Sequence, residues 1–326
     1  MQCIQSDNID PYFNLASEEY LLKCFKEDVF LLYRNTPSIV VGKHQNTLAE
    51  INLSFVREKE IIVARRISGG GTVFHDLGNL NFAIISSGRE GELVNYRKFT
   101  LPIVKAMGEM GLDVKLGERN ELLLGDLKIS GTASHVFKQR VLHHGTLLYS
   151  SVMGDLSAAL KVQSAQFTDR AVKSIRSKVT NIQDHLVDKM DIADFQNRIY
   201  GHILNTMDVA TRYKYTDHDL KEIGKLRDSK FSTWEWNFGY SPKYQFNKNL
   251  KFKSGNINLH MNVEKGIIRE VNIEGDFMTE KNIHTLEDLL VGTIHDPETL
   301  RMRLSGIQVA DYISGLENEE LLSGMF

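Results

Sequence analysis

Alternation of apolar and polar residues is clearest in the last third of the chain. Every second residue from Ile257 to Val263 is apolar, and residues 267–273 resume the pattern after a turn at residues 264–266. This two-residue period predicts a β-hairpin. Helical spacing follows at residues 281–290 and 297–304. The segment after Tyr240 is therefore predicted to form a small α+β domain of about 80 residues.

The first 240 residues mix helical and strand patterns. Asp10 followed by Pro11 indicates the start of a helix, because aspartate caps the first turn and proline fits the first helical position. Further helices are predicted at residues 100–110, 155–162 and 191–204, and strands at residues 29–34, 38–42, 60–65 and 80–87. Residues 121–131 and 141–151 are predicted to pair as two strands. The mixture predicts an α/β (α+β) fold.

Composition excludes several classes of protein. The chain has 326 residues, of which 42% are apolar and 25% charged, as in globular domains. Its net charge of 39 − 42 = −3 gives no indication of a nucleic-acid partner. No apolar run is long enough to span a bilayer and no export signal is apparent, so no membrane partner is expected. Two cysteines, Cys3 and Cys24, are too few for a disulfide framework. Together these features predict a cytoplasmic enzyme.

A glycine-rich segment lies at residues 65–76, which read Arg-Arg-Ile-Ser-Gly-Gly-Gly-Thr-Val-Phe-His-Asp. Three consecutive glycines lose much chain entropy on folding, which suggests that the backbone here has a function that side chains would obstruct. The alternative interpretation is an ordinary turn beside two surface arginines. In the functional interpretation, backbone N–H groups face an anion and Arg66 adds charge. The segment lacks the Gly-Lys-Ser/Thr ending of a P-loop and precedes a strand, so an anion site is expected between strands.

Polar residues in apolar surroundings are the other candidates. Lys128 is either an edge-strand lysine facing solvent or a cation that meets a carboxylate or phosphate. His75 and Asp76 would point to opposite faces of a strand and are not expected to act as a pair, and Asp76 is predicted to close an Asx turn. His143 and His144 lack a third ligand at zinc spacing, so structural roles are favoured for both.

Together these segments resemble the lipoate–protein ligase A family. The resemblance lies in residues 10–16, 65–79, 117–121, 128–131, 143–148, 176–181 and 234–239, and it extends over essentially the whole chain. The Arg-Arg-x-Ser-Gly-Gly-Gly and Lys-Ile-Ser-Gly motifs at this separation are highly specific. The resemblance implies a catalytic domain related to biotin protein ligases, with a mixed sheet and flanking helices, at residues 1–242. It also implies a small α+β accessory domain at residues 243–326.

The resemblance further implies an activity. Members of the family activate lipoate with ATP to lipoyl-AMP and pass the lipoyl group to an acceptor lysine, so ATP, Mg²⁺ and lipoate are expected ligands. The implied acceptors are lipoyl domains of 2-oxoacid dehydrogenase E2 subunits and the glycine cleavage H protein, and a monomer is expected. Lys128 matches the family's lysine that contacts both nucleotide and lipoate, and it is the expected catalytic residue. An apolar tunnel must hold the lipoyl chain, and His75 and His144 are expected to line it. No residue is assigned to a metal. The implied nucleotide-binding residues are Arg66, Gly70, Gly71, Thr72, Val73 and Phe74.

Departures from the family pattern are small, and two alternatives stay open. Glu121 stands where the family often has aspartate and Thr72 where many members have alanine, and neither change removes a needed group. Octanoyl- and amidotransferases of the family use a cysteine nucleophile, which neither Cys3 nor Cys24 is placed to supply. A lipoyltransferase that uses preformed lipoyl-AMP is one alternative. A non-catalytic lipoate-binding protein is the other, although storage alone would not require a phosphate site.

Overall fold

The computed structural model describes residues 1–88, 93–160, 166–175, 177–207 and 209–326. The chain divides into two compact units. The first comprises residues 1–43, 56–160 and 174–233, and the second comprises residues 44–55, 161–173 and 234–326. Arg176, the first residue of one motif that carries the family resemblance, lies outside the described residues.

The secondary structure can be given in chain order. The strands of the described residues are β1 (Gln2–Gln5), β2 (Val29–Arg34), β3 (Ser38–Val41), β4 (Ile62–Arg65), β5 (Val73–His75), β6 (Asn79–Ser87), β7 (Val114–Leu116), β8 (Leu122–Leu124), β9 (Leu127–Ser130), β10 (Thr132–Phe137), β11 (Arg140–Leu148), β12 (Phe167–Asp169), β13 (Thr211–Arg212), β14 (Tyr244–Phe252), β15 (Gly255–Glu264) and β16 (Ile267–Asp276). The α-helices are α1 (Pro11–Cys24), α2 (Leu53–Glu58), α3 (Tyr96–Glu109), α4 (Met153–Ala159), α5 (Ile192–Thr206), α6 (Asp217–Leu226), α7 (Ile283–Leu290), α8 (Pro297–Leu304) and α9 (Asn318–Gly324). No helix in the described part of the chain is long and apolar enough to cross a bilayer.

The first unit is built on a six-stranded mixed sheet with the order β10-β11-β6-β2-β1-β13. β1 runs parallel to β2 and β13, and the other neighbours are antiparallel. Almost every residue of β2 and β6 is buried, as expected for central strands with both faces covered. Two three-stranded sheets, β4-β3-β5 and β7-β8-β9, hold the segments that the sequence marks as candidates.

Amphipathic helices cover the core of the first unit. Phe195 and Ile199 of α5 and Ile103 and Met107 of α3 are fully buried in one apolar cluster with Phe82 of the sheet. The helix predicted at residues 191–204 is confirmed as α5. Each such side chain stabilises the fold by about 1.5–3 kcal/mol relative to an exposed position.

Helix α1 begins where the sequence predicts. The Asp10 carboxylate accepts a hydrogen bond from the Tyr12 backbone N–H at 2.9 Å and caps the helix. The helix is buried nearly all round, including its acidic residue Glu19. The ammonium groups of Lys23 and Lys230 each lie 2.5 Å from the Glu19 carboxylate. Burial alone would raise the pKa of Glu19, but these two hydrogen bonds hold it below its ordinary value.

The predicted pairing of residues 121–131 with residues 141–151 is wrong. Residues 121–131 fold back on themselves as β8 and β9, joined by a turn in which Gly125 has a φ of +57°. β11 pairs instead with β10 and β6. The reversal lies at Gly125-Asp126, a hairpin dipeptide between two leucine-containing segments that the sequence prediction joins into one strand. The predicted helix at residues 155–162 is α4 as far as Ala159, and residues 161–162 lie outside the described residues.

The second unit contains the predicted hairpin. β15 and β16 form it within an antiparallel sheet of order β12-β14-β15-β16. Its turn residues Lys265 and Gly266 have φ angles of 52° and 70°, which match the two-residue turns favoured in hairpins. A Cβ atom on Gly266 would lie 2.1 Å from the Trp234 ring, so only glycine fits beneath this tryptophan. The inward residues of the sheet pack against α7, α8 and α9.

Candidate active site

The glycine-rich segment connects β4 to β5, between strands as the sequence predicts. β4 is parallel and β5 antiparallel to the same central strand, β3, so both ends of the loop are anchored on one element. Gly70 has a φ of +89°, a left-handed conformation that favours glycine. Arg65, at the end of β4, is fully buried and donates hydrogen bonds to two backbone carbonyls, so it is not a surface arginine.

Arg66 is buried beneath this loop and holds its shape. Its Nε donates to Ser68 Oγ at 3.0 Å, and Nη1 donates to a backbone carbonyl of β3 at 3.0 Å. Nη2 donates to the carbonyl oxygens of Gly69 and Gly71, both at 2.7 Å. Burial lowers the pKa of Arg66 to about 10, although the Glu18 carboxylate opposes this shift. The guanidinium is therefore still charged at neutral pH, and most of its N–H groups are used inside the protein.

The loop also offers backbone donors to a ligand. Within the described residues, no protein group accepts a hydrogen bond from the N–H of Gly70 or Gly71. The N–H of Thr72 donates to Ser174 Oγ at 2.8 Å. Cβ atoms added to Gly70 and Gly71 would lie 3.1 Å from Arg66 Nη2 and 3.1 Å from Ser174 Oγ, so larger residues would crowd the loop. Successive free amides in such a turn are typical of an anion-binding site.

Lys128 lies in β9, and its backbone is fixed on both sides. On one side β9 pairs with β8. On the other side the Lys128 N–H donates to the Lys178 carbonyl at 2.9 Å, and the Lys128 carbonyl accepts from the Thr180 N–H at 3.1 Å. The side chain is partly buried, and its ammonium has no hydrogen bond or ion pair among the described residues. This is not the environment of a lysine that simply extends into solvent from an open sheet edge.

Charges around Lys128 make the region cationic. Burial lowers the pKa of its ammonium, the Glu121 carboxylate opposes the shift, and the positive charges of Arg119 and Arg66 add to it. Glu121 has a buried Oε2 atom without a hydrogen-bond partner in the described structure, and its Oε1 is 3.8 Å from Arg119 Nε. Three cations around one carboxylate suit a ligand with several negative charges.

The Lys-Ile-Ser-Gly and His-His-Gly-Thr motifs meet through glycine. A Cβ atom on Gly145 would lie 2.7 Å from the Phe82 ring and 2.9 Å from the Gly131 carbonyl, so a side chain there would separate the two segments. The Thr146 N–H donates to the Gly131 carbonyl at 3.1 Å, and Thr146 Oγ1 accepts from the Gly131 N–H at 3.3 Å. Gly131 in turn lies beside the Lys128 ammonium, which would be 3.5 Å from a Cβ atom at that position. The end of the lysine side chain therefore lies next to Gly131.

A buried chain of hydrogen bonds connects α1 to the glycine loop. Tyr33 Oη donates to Glu18 Oε1 at 2.9 Å, and Glu18 Oε2 is 2.8 Å from His144 Nδ1. His144 Nε2 is 2.5 Å from Ser68 Oγ, which also accepts from Arg66. Both ring nitrogens of His144 are thus satisfied by protein groups, which confirms a structural role for this residue. Its assignment to the lipoate tunnel stays a prediction.

Histidines 75 and 143 differ in their surroundings. His75 is 3% exposed; its Nδ1 is 2.9 Å from Asn35 Nδ2, and its Nε2 has no partner in the described structure. His143 stacks on Phe99 with its Nε2 3.1 Å from the Leu93 carbonyl, which confirms packing as its role.

The predicted Asx turn at Asp76 is confirmed. Its Oδ1 accepts from the Gly78 N–H at 2.9 Å, and its Oδ2 accepts from the Val152 N–H at 2.8 Å. Both carboxylate oxygens therefore hold backbone in place, and Asp76 and His75 form no acid–base pair.

The structure brings most of the predicted site residues together. Arg66, Gly70, Gly71 and Thr72 share one loop, which continues into Val73 and Phe74 of β5. The charge of Arg66 acts on both Lys128 and His75. Sequence reasoning missed four residues that organise this region, namely Glu18, Asn35, Ser68 and Ser174. Two signals were available: Ser68 is part of the glycine-rich motif, and Glu18 and Glu19 are adjacent acidic residues in a predicted helix, where buried carboxylates need partners.

Two family models together match most of the chain. The lipoyl protein ligase A/B catalytic domain matches residues 10–204, and the bacterial lipoate protein ligase C-terminus matches residues 241–325. The lipoate-protein ligase LplJ of Bacillus subtilis (strain 168) is 39% identical over 327 residues, with 99% of each chain covered.

Two solved structures each share a fold with 73% of this chain. A lipoate-protein ligase A bound with ATP has a TM-score of 0.65 and 27% identity, over 73% of this chain and 98% of that one. A lipoate protein ligase from T. acidophilum with bound lipoic acid has a TM-score of 0.63 and 25% identity, over 73% and 98% of the two chains. The archaeal ligase is also described as bi-partite, together with its E2 lipoyl domain. The catalytic-domain match over more than half of the chain and the similarity to the B. subtilis ligase show that the chain belongs to the lipoate–protein ligase family.

Proposed function

We propose that the chain ligates lipoate to an acceptor lysine in two steps. A carboxylate oxygen of lipoate attacks the α-phosphorus of ATP, and pyrophosphate leaves with the bonding electrons to give lipoyl-AMP. The neutral amine of the acceptor lysine then attacks the acyl carbonyl, AMP leaves, and the surplus proton of the amine passes to solvent. The observation that supports this best is the partly buried ammonium of Lys128, without a protein partner, in the same charge cluster as the glycine loop.

The first step brings two anions together, so its barrier depends on positive charge. Lys128 is the proposed catalytic residue, because its ammonium is held in place and is not neutralised by a direct ion pair with a described residue. The free N–H groups of Gly70 and Gly71 are proposed to receive phosphate oxygens. Preorganised donors of this kind stabilise charge that develops in a transition state. Arg66 contributes its charge and the loop geometry, and Thr72, Val73 and Phe74 complete the proposed nucleotide site.

The second step needs an acyl carbonyl that is activated without a covalent enzyme intermediate. Lys128 is proposed to polarise the carbonyl of lipoyl-AMP, a mixed anhydride that is already reactive. The two cysteines support this interpretation. Cys3 is buried and Cys24 lies at the end of α1, and burial raises the pKa of both thiols. Neither thiol is thus a ready thiolate nucleophile.

Mg²⁺ is proposed to enter with the nucleotide. The described residues contain no group of three or more histidine, cysteine or acidic side chains that could hold a metal. This fits a cation that keeps water and phosphate ligands, as Mg²⁺ usually does with nucleotide substrates. When bound it would neutralise charge on the pyrophosphate, while the residues of this chain hold the α-phosphate and the acyl carboxylate.

The remaining assignments concern the acyl chain, the acceptor and the setting. His75 and His144 are proposed to line the tunnel for the lipoyl chain, since both are buried beside Arg66 and Ser68. Proposed acceptors are lipoyl domains of 2-oxoacid dehydrogenase E2 subunits and the glycine cleavage H protein, modified by a monomer without a nucleic-acid or membrane partner. Two unpaired cysteines suit the reducing cytoplasm. The proposed domains are residues 1–242 for catalysis and 243–326 as an accessory.

Pyrophosphate release from ATP and lipoate, measured without an acceptor, tests the proposal. A burst of about one pyrophosphate per enzyme is expected, because the adenylate stays bound until an acceptor arrives. Adding an apo lipoyl domain should then convert the burst to turnover. No release, with transfer from supplied lipoyl-AMP, would identify a lipoyltransferase. Binding of lipoate without release or transfer would identify a binding protein.

A further inference from the structure

Two buried asparagines form a hydrogen-bonded chain that ends on His75. Asn14 and Asn35 are completely buried. The Asn14 Nδ2 atom lies 2.8 Å from the Asn8 carbonyl oxygen and 3.1 Å from the Arg34 carbonyl oxygen. Backbone carbonyls only accept hydrogen bonds, so the amide atom between them must be the nitrogen. The orientation of the Asn14 side chain is therefore determined by its surroundings.

This orientation determines the tautomer of His75. Asn14 Nδ2 also lies 2.9 Å from Asn35 Oδ1. An amide nitrogen of Asn35 at that point would set donor against donor, so the atom that faces Asn14 is the oxygen. The nitrogen of the Asn35 amide then faces the His75 ring, 2.9 Å from Nδ1. An amide nitrogen only donates, so Nδ1 accepts and the single proton of the neutral imidazole is on Nε2.

The Nε2–H group of His75 has no acceptor in the described structure. By contrast, both ring nitrogens of His144 and of His295 have partners. Burial lowers the pKa of His75 to about 3, with further lowering by the Arg66 charge and by His144, so the ring stays neutral. A buried donor is nearly always satisfied in a native protein, so its acceptor is expected on a bound ligand.

The other assigned contacts leave one part of lipoate for the His75 N–H group. The carboxylate of lipoate is assigned to the ammonium of Lys128 and to the α-phosphorus of ATP, which it attacks in the proposed first step. The only other acceptors of lipoate are its two sulfurs, which accept weakly, so they are the atoms left for the His75 N–H group.

We propose that Asn14 and Asn35 are positioning residues that hold His75 in the Nε2–H tautomer, and that this N–H donates to a dithiolane sulfur of lipoate. The inference rests on the proposed function, because it takes lipoate as the ligand. It assigns His75 a role in distinguishing lipoate from octanoate, the saturated chain without sulfur.

The tautomer is tested first, in the ligand-free protein, by ¹⁵N NMR of the histidine rings between pH 5 and pH 8. The His75 signals should report a proton on Nε2 and none on Nδ1, without titration. Asn35→Asp should reverse the tautomer, because a carboxylate oxygen would then face Nδ1. A wild-type ring protonated on Nδ1, or titrating near pH 6.5, overturns the inference whether or not the Asp variant folds.

Calorimetric binding of lipoate and octanoate tests the sulfur contact. His75→Asn keeps an amide near the Nδ1 position but lacks the distal donor, and should weaken lipoate binding about threefold to tenfold more than it weakens octanoate binding. His75→Gln, which places an N–H near the Nε2 position, should restore most of the loss. Equal losses for both ligands would refute the sulfur contact. Neither measurement needs catalysis, so a protein that discriminates between the acids but releases no pyrophosphate would refute the proposed function alone.

Discussion

Replacing Lys128 by methionine removes one ammonium group and little else. Methionine keeps the unbranched stem of the side chain, and the backbone hydrogen bonds of residue 128 to Lys178 and Thr180 do not involve it. No ion pair or hydrogen bond of the Lys128 side chain to a described residue is lost. The free energy of unfolding should therefore change by less than about 1 kcal/mol.

The rate of adenylate formation should fall by about 10²–10³-fold, which corresponds to about 2.7–4 kcal/mol of transition-state stabilisation from one preorganised donor. Rapid-quench measurement of pyrophosphate release at saturating lipoate and ATP gives this rate. Lys115→Met is the matched control, because Lys115 lies in the same three-stranded sheet but is mostly exposed in an ion pair with Asp113. The control should react at the wild-type rate.

The pH dependence follows from the same lysine. Only the ammonium form stabilises negative charge, and its pKa in the folded protein lies below the ordinary 10.5. The wild-type rate should therefore fall as pH rises through this lowered pKa, and this fall should be absent in Lys128→Met. Near-normal pyrophosphate release by a folded Lys128→Met variant would refute the role of this residue.

Three further expectations concern other parts of the chain. Gly70→Val should abolish ATP binding in calorimetry, because a branched side chain is strained at a φ of +89° and would contact Arg66. Unchanged ATP affinity in a folded variant would exclude the loop as the phosphate site. The double variant Cys3→Ala, Cys24→Ala should still lipoylate an acceptor, and mass spectrometry should find the lipoyl group on the acceptor only. A thioester on the wild-type chain would instead indicate a cysteine nucleophile. Burial lowers the pKa of His295 to about 4, against about 6.5 in the unfolded chain. Between these two pH values the unfolded chain binds one more proton than the folded protein, so the free energy of unfolding should fall by about 1.4 kcal/mol for each pH unit of acidification. Denaturant titrations of wild type and His295→Asn should differ in this slope by one proton, and identical slopes would contradict the assignment.

Local chemistry was enough to predict where several elements begin. Asp10, Asp191 and Asp296 cap α1, α5 and α8 with their side chains, and a carboxylate within three residues of the first turn is visible in the sequence. The hairpin of the second unit was equally predictable, because its alternation and its Lys-Gly turn lie within 20 residues. The split of residues 121–131 was missed although its signal is also local, because the prediction includes the turn dipeptide Gly125-Asp126 in one strand.

At the site, too, local motifs could be recognised in the sequence, whereas contacts between distant residues could not. The glycine loop and Lys128 could be identified because their motifs are continuous in the sequence. The partners of His144 could not, because Glu18 lies 126 residues away and Ser68 lies 76 residues away. The use of Arg66 inside the loop also depends on carbonyl positions that only the folded backbone fixes. Periodicity describes which face of an element is buried, but not which buried polar groups meet.

The hydrogen bonds from Arg66 to the carbonyls of Gly69 and Gly71 have a thermodynamic consequence for ligand capture. A chain of three glycines is among the most flexible of peptide segments when unconstrained, and a ligand that had to order it would bind with a large loss of backbone entropy. Here that loss is incurred during folding. Binding of the proposed nucleotide ligand would then resemble docking on a rigid surface, and its affinity would gain because less backbone motion remains to be lost.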